Sequence, residues 1–181
     1  MGGHALTSVF SCFILIGLTA VPATGQQNLS SLLTRACGPD SAKFSVSLNK
    51  AETPLPPVPS KLSRLVVLPE SISPLTGCRY TITRVGVDGK WIGATCVGGY
   101  LVAELSSGAH HLCANYQREA IPHFTALRSV TLVPGRTYYY RVEIIENSFG
   151  GNKALHLDPI DEDEGLMLML TAHQARSKER R

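Results

Sequence analysis

Three short runs in the middle of the chain, in which apolar and polar residues alternate, constrain the fold more than any other feature. The runs are CRYTITRVGV, GYLVAEL and TYYYRVEII, all within residues 78–145. Turn signals separate them at Asp88-Gly89, Ser106-Ser107-Gly108 and Pro134-Gly135. Because successive side chains of a strand point to opposite faces, a period of two indicates half-buried strands. The middle of the chain therefore predicts a compact antiparallel β domain.

The Asp88-Gly89 turn predicts a hairpin of known geometry. A two-residue Asp-Gly loop favours a type I′ turn, which needs positive φ at both central positions. In the register of such a hairpin, Val85 faces Ile92 and Gly86 faces Trp91. We expect the indole of Trp91 to cover the bare backbone of Gly86. The alternative is that Trp91 stacks on a ligand.

The last alternating run, residues 137–146, predicts a strand with two different faces. The face expected in the core carries Tyr138, Tyr140, Val142 and Ile144. The half-exposed face carries Tyr139, Arg141, Glu143 and Ile145. Because Tyr, Trp and Arg are enriched at binding interfaces, the predicted ligand or partner face consists of Tyr139, Arg141 and Trp91.

The C-terminal segment begins with acidic residues and ends with basic ones. Four acids at residues 161–164 precede the segment LMLMLTAHQARSK. Acids at the start of a helix and bases at its end complement the helix dipole, so we expect a short C-terminal helix capped by Asp161 or Asp163. The alternation in LMLML would also allow a strand. The terminal RSKERR run predicts a solvated basic tail.

An uncharged apolar leader precedes the β domain. Residues 9–21 form a 13-residue apolar run, shorter than the roughly 20 residues that span a bilayer. The small residues Ala23 and Gly25 match a signal-peptidase site, with Pro22 just before them. The chain is therefore expected to be exported, to the periplasm or beyond, with no stable membrane span after cleavage. An uncleaved anchor or a buried helix is the alternative.

Cleavage of the leader would leave four of the five cysteines, namely Cys37, Cys78, Cys96 and Cys113. An even number in an exported protein predicts disulfides, with three connectivities open. None of the cysteines has the close neighbour that structural zinc sites use. His110 and His111 lie near Cys113, but on a strand only His111 would share its face. We therefore predict no metal site.

Composition and motifs argue against catalysis and against nucleic-acid binding. The formal net charge is only +3, and part of it belongs to the terminal RSKERR run, whereas a nucleic-acid footprint needs a clustered basic face. The chain has no Gly-x-Ser-x-Gly nucleophile elbow. Cysteines that pair in disulfides are not available as nucleophiles. We therefore predict that the protein is not an enzyme and uses no cofactor.

Several segments together resemble a bacterial family of exported or lipid-anchored envelope proteins, domain-of-unknown-function family 2846. The resemblance covers about residues 36–172 and rests on VDGKWIG, Tyr100, SSGAHHLCANYQ, GRTYYYRV and LDPIDEDEG. It implies a β-sandwich of the prealbumin-like or PEGA-like kind and no established activity. It also implies Cys37–Cys113 as the bridge of the family and Cys78–Cys96 as an additional one.

These patterns predict a mainly β protein, an antiparallel sandwich with a short C-terminal helix behind a signal peptide. The expected parts are a signal peptide (1–25), an N-terminal arm with a Pro-rich connector (26–60), the sandwich (61–172) and a basic tail (173–181). The function that we expect is non-catalytic binding in the cell envelope, to an envelope protein or a cell-wall component. The alternatives are a periplasmic carrier of a small, sugar-like ligand and a hydrolase.

Overall fold

The structure is a computed structural model, and it describes residues 37–49, 55–70, 78, 81–117, 125–146 and 153–180. The predicted signal peptide and residues 26–36 and 50–54 of the predicted arm and connector lie outside the described residues. Within the described ranges the chain forms ten strands and one helix. Their bounds are β1 Lys43–Asn49, β2 Leu62–Pro69, β3 Ile82–Val87, β4 Lys90–Cys96, β5 Gly99–Ser106, β6 Gly108–Tyr116, β7 Thr125–Leu132, β8 Thr137–Glu146, β9 Lys153–Ile160, α1 Glu162–Leu170 and β10 His173–Arg180.

The strands form two sheets that face each other. One sheet has six strands in the order β1-β10-β5-β2-β8-β9, and the other has four in the order β4-β3-β6-β7. The pairs β2–β8 and β10–β5 are parallel, and the remaining pairs are antiparallel. The predicted β-sandwich with one short helix near the C-terminus is confirmed.

The core lies between the sheets and draws on both of them. Its buried members are Leu65, Val67, Val85, Val87, Leu101, Leu112, Ala114, Ala126, Tyr140, Val142, Leu155 and Leu157. Tyr138 and Ile144 pack against it while partly exposed, so the predicted core face of β8 is confirmed. Full burial of such a side chain stabilises the fold by about 1.5–3 kcal/mol, which makes this layer the main source of stability.

The β3–β4 hairpin has the predicted turn, and Gly86 lies opposite Trp91 as predicted, but the register changes beyond that pair. Asp88 has φ 50° and Gly89 has φ 79°, as a type I′ turn requires. A bulge next to the turn places Gly93, rather than Ile92, opposite Val85. The extra residue of the bulge shifts every pair beyond it by one position. The predicted pairing of Val85 with Ile92 is therefore wrong.

Both cysteine pairs implied by the family resemblance are present as disulfides. Cys37 is joined to Cys113 with a Cα–Cα distance of 5.2 Å, and Cys78 to Cys96 with 4.9 Å. Two disulfides fit an exported or extracellular protein, because such bonds persist in oxidising compartments. In the part of the chain that the structure describes, no helix has the length and apolar character needed to cross a membrane.

The C-terminus departs from the sequence-based prediction. Asp161 caps α1 as expected, since its Oδ1 accepts a hydrogen bond of 2.8 Å from the Glu164 backbone N–H. Residues 173–180, however, form β10 instead of a solvated tail, and they pair with β1 along its whole length. Ala175 is buried while Arg176 is exposed, so the segment has a period of two. That period is weak in the sequence because the inward side chains are small.

Candidate binding cleft

A second apolar cluster covers the outer face of the six-stranded sheet. Its buried members are Val66, Leu68, Tyr100 and Tyr139. Helix α1 crosses above this cluster, because the chain must pass from β9 at one edge of the sheet to β10 on the far side of β5. Gly165 allows the close approach, since a Cβ there would collide with the ring of Tyr139. The outer face of the six-stranded sheet and α1 thus enclose a second apolar layer, separate from the main core.

A cleft of about 1030 Å³ opens beside this helix. The Pro-rich residues 55–58 form one wall, and Arg64, Tyr100 and Tyr139 contribute from the sheet. Helix α1 and the start of β10 supply the remaining lining residues, Asp163, Leu166, Met167, Met169, Leu170, Ala172, His173 and Gln174, and Thr137 comes from β8. This volume lies at the upper end of the about 300–1,000 Å³ typical of ligand pockets.

Arg64 holds the Pro-rich wall of the cleft in place. Its side chain is buried, its Nη1 donates a hydrogen bond of 2.5 Å to the Pro56 carbonyl, and its Nη2 donates one of 2.9 Å to Glu104 Oε1. The Nε atom is buried without a hydrogen-bond partner. Pro56 has no backbone N–H, so it cannot pair with a strand through a full set of backbone hydrogen bonds. The hydrogen bond from the Arg64 guanidinium to its carbonyl links this segment to the sheet instead.

The two tyrosines of the cleft are neutral and mostly buried. Burial raises the pKa of Tyr100, and burial with the nearby charge of Glu162 raises that of Tyr139 against the opposing effect of Arg64. Tyr139 is only 6% exposed, because α1 covers it. The prediction that Tyr139 lies on a half-exposed face is therefore wrong. It contributes an apolar ring to the cleft rather than a surface contact.

The helix side of the cleft exposes three large apolar residues. Leu166, Met167 and Leu170 are 46%, 65% and 76% exposed. A surface helix normally turns such residues inward. A contiguous exposed apolar patch often marks an interaction site. Methionine is flexible and adapts to differently shaped partners. This side of the cleft is therefore suited to contact with another molecule.

Arg141 and Trp91, the other residues of the predicted partner face, have structural partners. Arg141 Nη1 donates to Glu164 Oε1 at 2.8 Å, and the guanidinium also lies 3.6 Å from Glu70. Arg141 thereby ties β8 to α1. Trp91 belongs to the four-stranded sheet, so the structure does not bring it together with Tyr139 and Arg141 on one surface.

Trp91 instead packs on the segment that follows Cys37. Its Nε1 donates a hydrogen bond of 2.8 Å to the Pro39 carbonyl, and its ring contacts Gly38. The Arg84 guanidinium lies 4.5 Å above the ring centroid. Gly86 is approached by the carbonyl oxygen of Cys37 rather than by the indole. The predicted cover of Gly86 by Trp91 is wrong, because the N-terminal segment passes between them.

The two histidines near Cys113 make polar contacts with neighbouring strands and turns. Cys113 is in a disulfide, and His111 Nδ1 lies 3.1 Å from Ser129 Oγ. His110 Nδ1 lies 2.7 Å from Asp88 Oδ2, and its Nε2 lies 2.8 Å from the Ser106 carbonyl. Both partners of His110 are acceptors, so both ring nitrogens donate. Over the described ranges, no group of three or more His, Cys, Asp or Glu side chains could hold a metal ion.

The electrostatics of this turn agree with a charged His110. The hydrogen bond to Asp88 raises the pKa of His110 above 6.5 and outweighs burial, and the Ser106 carbonyl and the Asp88 charge act in the same direction. Burial would raise the pKa of Asp88, but the hydrogen bonds from the His111 backbone and from His110, with both histidine charges, together lower it. The pair locks the β3–β4 turn to β6.

Sequence reasoning missed the cleft although one signal was present. The segment LMLML is apolar on every side, and a helix with that composition needs neighbours on more than one face or leaves apolar surface exposed. The position of its neighbours depends on long-range pairing, which local patterns do not contain.

The chain matches no protein-family model, no curated protein and no solved structure. The resemblance to the family of unknown function therefore stays a prediction.

Proposed function

We propose that this protein is an exported, non-catalytic binding module of the cell envelope that holds its partner at the cleft beside α1. The observation that carries the proposal is the exposed apolar side of α1, with Met167 and Leu170, next to an open cleft. Two disulfides support a place outside the reducing cytoplasm. The earlier candidates Tyr139 and Arg141 then act as supports of the site, by packing under the helix and by ion pairing to it.

Site-specific photo-crosslinking in the host envelope tests the proposal. A photo-reactive residue at Met167 should give a discrete adduct, because this side chain projects from the helix side of the cleft. The matched control is the same residue at Leu127, which is 52% exposed on β7 of the other sheet. An adduct from position 167 and none from position 127 is the expected result. Equal adducts from both positions, or none from 167, would remove the cleft as the binding site.

A periplasmic carrier of a small ligand is the second candidate, and the size of the cleft favours it. About 1030 Å³ is room for a drug-sized molecule, and Thr137 and Gln174 place polar groups among the apolar ones. A thermal-shift screen with mono- and disaccharides separates the two functions. A saturable shift that disappears in a Thr137→Trp variant would favour the carrier. A purified protein that no sugar stabilises would favour the interaction module.

A further inference from the structure

The outward side of β10 carries a row of bases. Arg176, Lys178 and Arg180 are exposed and alternate along the strand, so they share one face. The pairing of Arg180 with Lys43 on β1 adds a fourth base to that face. In the described part of the chain, none of these four side chains makes an ion pair. Their charge is therefore available to a partner. We refer to Lys43, Arg176, Lys178 and Arg180 as the basic strip.

The basic strip continues the face of the sheet on which the cleft lies. Gln174 is paired with Tyr100 across the parallel β10–β5 contact, and both residues line the cleft. Arg176 follows Gln174 on the same side of β10, about 6.6 Å further along the strand. The bases thus begin where the cleft ends.

Exposed apolar side chains at the C-terminal end of α1 lie close in sequence to the start of β10, which carries most of the basic strip. Leu170 is the last residue of the helix, and only residues 171–172 separate it from β10. Met167 precedes it by nearly one turn and is 65% exposed. The acids of α1 lie at the opposite end of the helix, where Glu164 is neutralised by Arg141. One end of this face is therefore apolar and basic, and the other end is acidic.

We propose that the basic strip, with Met167 and Leu170, docks the protein on the surface of an anionic lipid bilayer. The inference rests on the proposed function, in that it names the partner met at the same face. Anionic headgroups complement the unpaired bases, and the exposed apolar side chains of α1 fit a deformable interface in which they can lie among acyl chains. A folded acidic protein would instead need a fixed apolar surface shaped to Met167 and Leu170.

Co-sedimentation of the purified protein with lipid vesicles tests this proposal. Vesicles of equal parts phosphatidylglycerol and phosphatidylcholine should bind it, and vesicles of phosphatidylcholine alone should bind it far less. Binding should weaken between 0.05 and 0.5 M salt, since salt screens exposed charges. Each base near an anionic surface strengthens binding by roughly fivefold. The triple variant Arg176→Ser, Lys178→Ser, Arg180→Ser should therefore bind on the order of 100-fold more weakly.

The apolar part of the patch has its own matched control. Leu170→Glu should reduce vesicle binding, whereas Leu127→Glu, at an exposed leucine of the other sheet, should not. Both positions are exposed, so both variants are expected to fold, and circular dichroism with thermal unfolding verifies this. Equal binding by wild type and triple variant, or equal loss in both leucine variants, would overturn the proposal.

Other partners give distinguishable results. Glycerol phosphate that abolishes vesicle binding at millimolar concentration would identify the strip as a site for soluble phosphates and overturn lipid docking. Salt-insensitive dimers in light scattering, lost in Leu170→Glu, would show that a second copy covers the face. An adduct from Met167 to an envelope protein, without any vesicle binding, would refute lipid docking while leaving the proposed function in place.

Discussion

Two buried arginines each fasten a segment that lies outside the sheets. Arg64 holds the Pro-rich wall of the cleft through Pro56, and Arg84 holds the segment after Cys37. Arg84 donates to the carbonyls of Asp40 and Ala42 at 3.0 and 2.8 Å. It also donates to the side chain of Asn115. A guanidinium has five donors in a rigid fork, so one side chain can satisfy several backbone carbonyls that no strand partner reaches.

Replacing Arg84 should therefore destabilise the protein strongly. In Arg84→Leu the Ala42 carbonyl and the Asn115 side chain lose their donor in a buried site, and each buried group left unsatisfied lowers the free energy of unfolding by about 1–3 kcal/mol. Arg128→Leu is the control, because Arg128 is largely exposed and its ion pair with Asp158 contributes only about 0–1 kcal/mol. Urea unfolding of both variants measures the difference. Similar losses in the two variants would contradict this role of Arg84.

His110 should make the stability depend on pH near neutrality. Its pKa in the folded protein is raised above 6.5, so the folded state binds its proton more tightly than the unfolded state does. The stabilisation is fully present below pH 6.5 and is lost as the pH rises through the folded pKa. The groups around the ring are Asp88, the Ser106 carbonyl and, beside it on β6, His111.

The difference between wild type and His110→Gln isolates this effect. We expect the melting temperature of the wild type to fall more than that of the variant between pH 6 and 8.5, since glutamine does not titrate. The lowered pKa of Asp88 keeps that carboxylate charged throughout this range. Parallel pH profiles of the two proteins would refute the prediction.

At the scale of elements, β10 holds one edge of the larger sheet. Among the strands that the structure describes, β1 has β10 as its only sheet neighbour. Phe44 on β1 is buried in a cluster with Ala42 and Ala94. Ser177 Oγ accepts a hydrogen bond of 3.0 Å from the Ala94 backbone N–H. The strand therefore joins the edge of one sheet to β4 of the other.

Deleting residues 173–181 should consequently destabilise the fold. β1 would lose its partner, and the burial of Phe44, about 1.5–3 kcal/mol for such a side chain, would be lost with it. We expect the loss of Phe44 burial alone to lower the free energy of unfolding by about 1.5–3 kcal/mol, measured by urea denaturation. The double variant Lys178→Ser, Arg180→Ser changes only exposed side chains and leaves the β10 backbone in place, so it is the control and should change little. A stable protein after the longer deletion would contradict this role of β10.

The strands and the hairpin turn were predictable because their signals are local. Alternation in TYYYRVEII and the Asp-Gly turn each need only a few neighbouring residues. The burial of Tyr139 was not predictable, because it depends on a helix that starts 23 residues later. β10 was missed because its inward side chains, such as Ala175, are small, so its alternation resembles a charged tail. The exposure of Tyr139 was predicted wrongly for a related reason, since α1 covers that part of β8.

At the scale of the whole molecule, the two disulfides have different tasks. Cys37–Cys113 joins residues 76 positions apart and fixes the N-terminal segment to β6. Cys78–Cys96 spans 18 positions and ties the approach to β3 to the end of β4. In a chain-entropy account, a longer closed loop restricts the unfolded chain more. The long bridge then stabilises by about 4.5 kcal/mol and the short one by about 3 kcal/mol.

We therefore expect the pair Cys37→Ala and Cys113→Ala to lower the free energy of unfolding more than the pair Cys78→Ala and Cys96→Ala. The long bridge also holds Cys37 against Gly86, so its loss should free the segment on which Trp91 packs. Trp91 is the only tryptophan of the chain, and its fluorescence should shift to longer wavelength in the first variant alone. An equal shift in both variants would contradict this assignment.

The comparison of the two variant pairs assumes that both disulfides form in the exported protein, and its intact mass tests this. A mature chain that begins after Gly25 and contains both bridges has the mass of residues 26–181 less four hydrogens, and reduction restores them. Free thiols at Cys78 and Cys96 alone would leave the long bridge as the sole constraint and predict no effect of the second variant pair. A retained leader with both bridges would keep the disulfide prediction but refute cleavage. The intact mass thus tests two questions separately: whether both disulfides form, and whether the leader is cleaved.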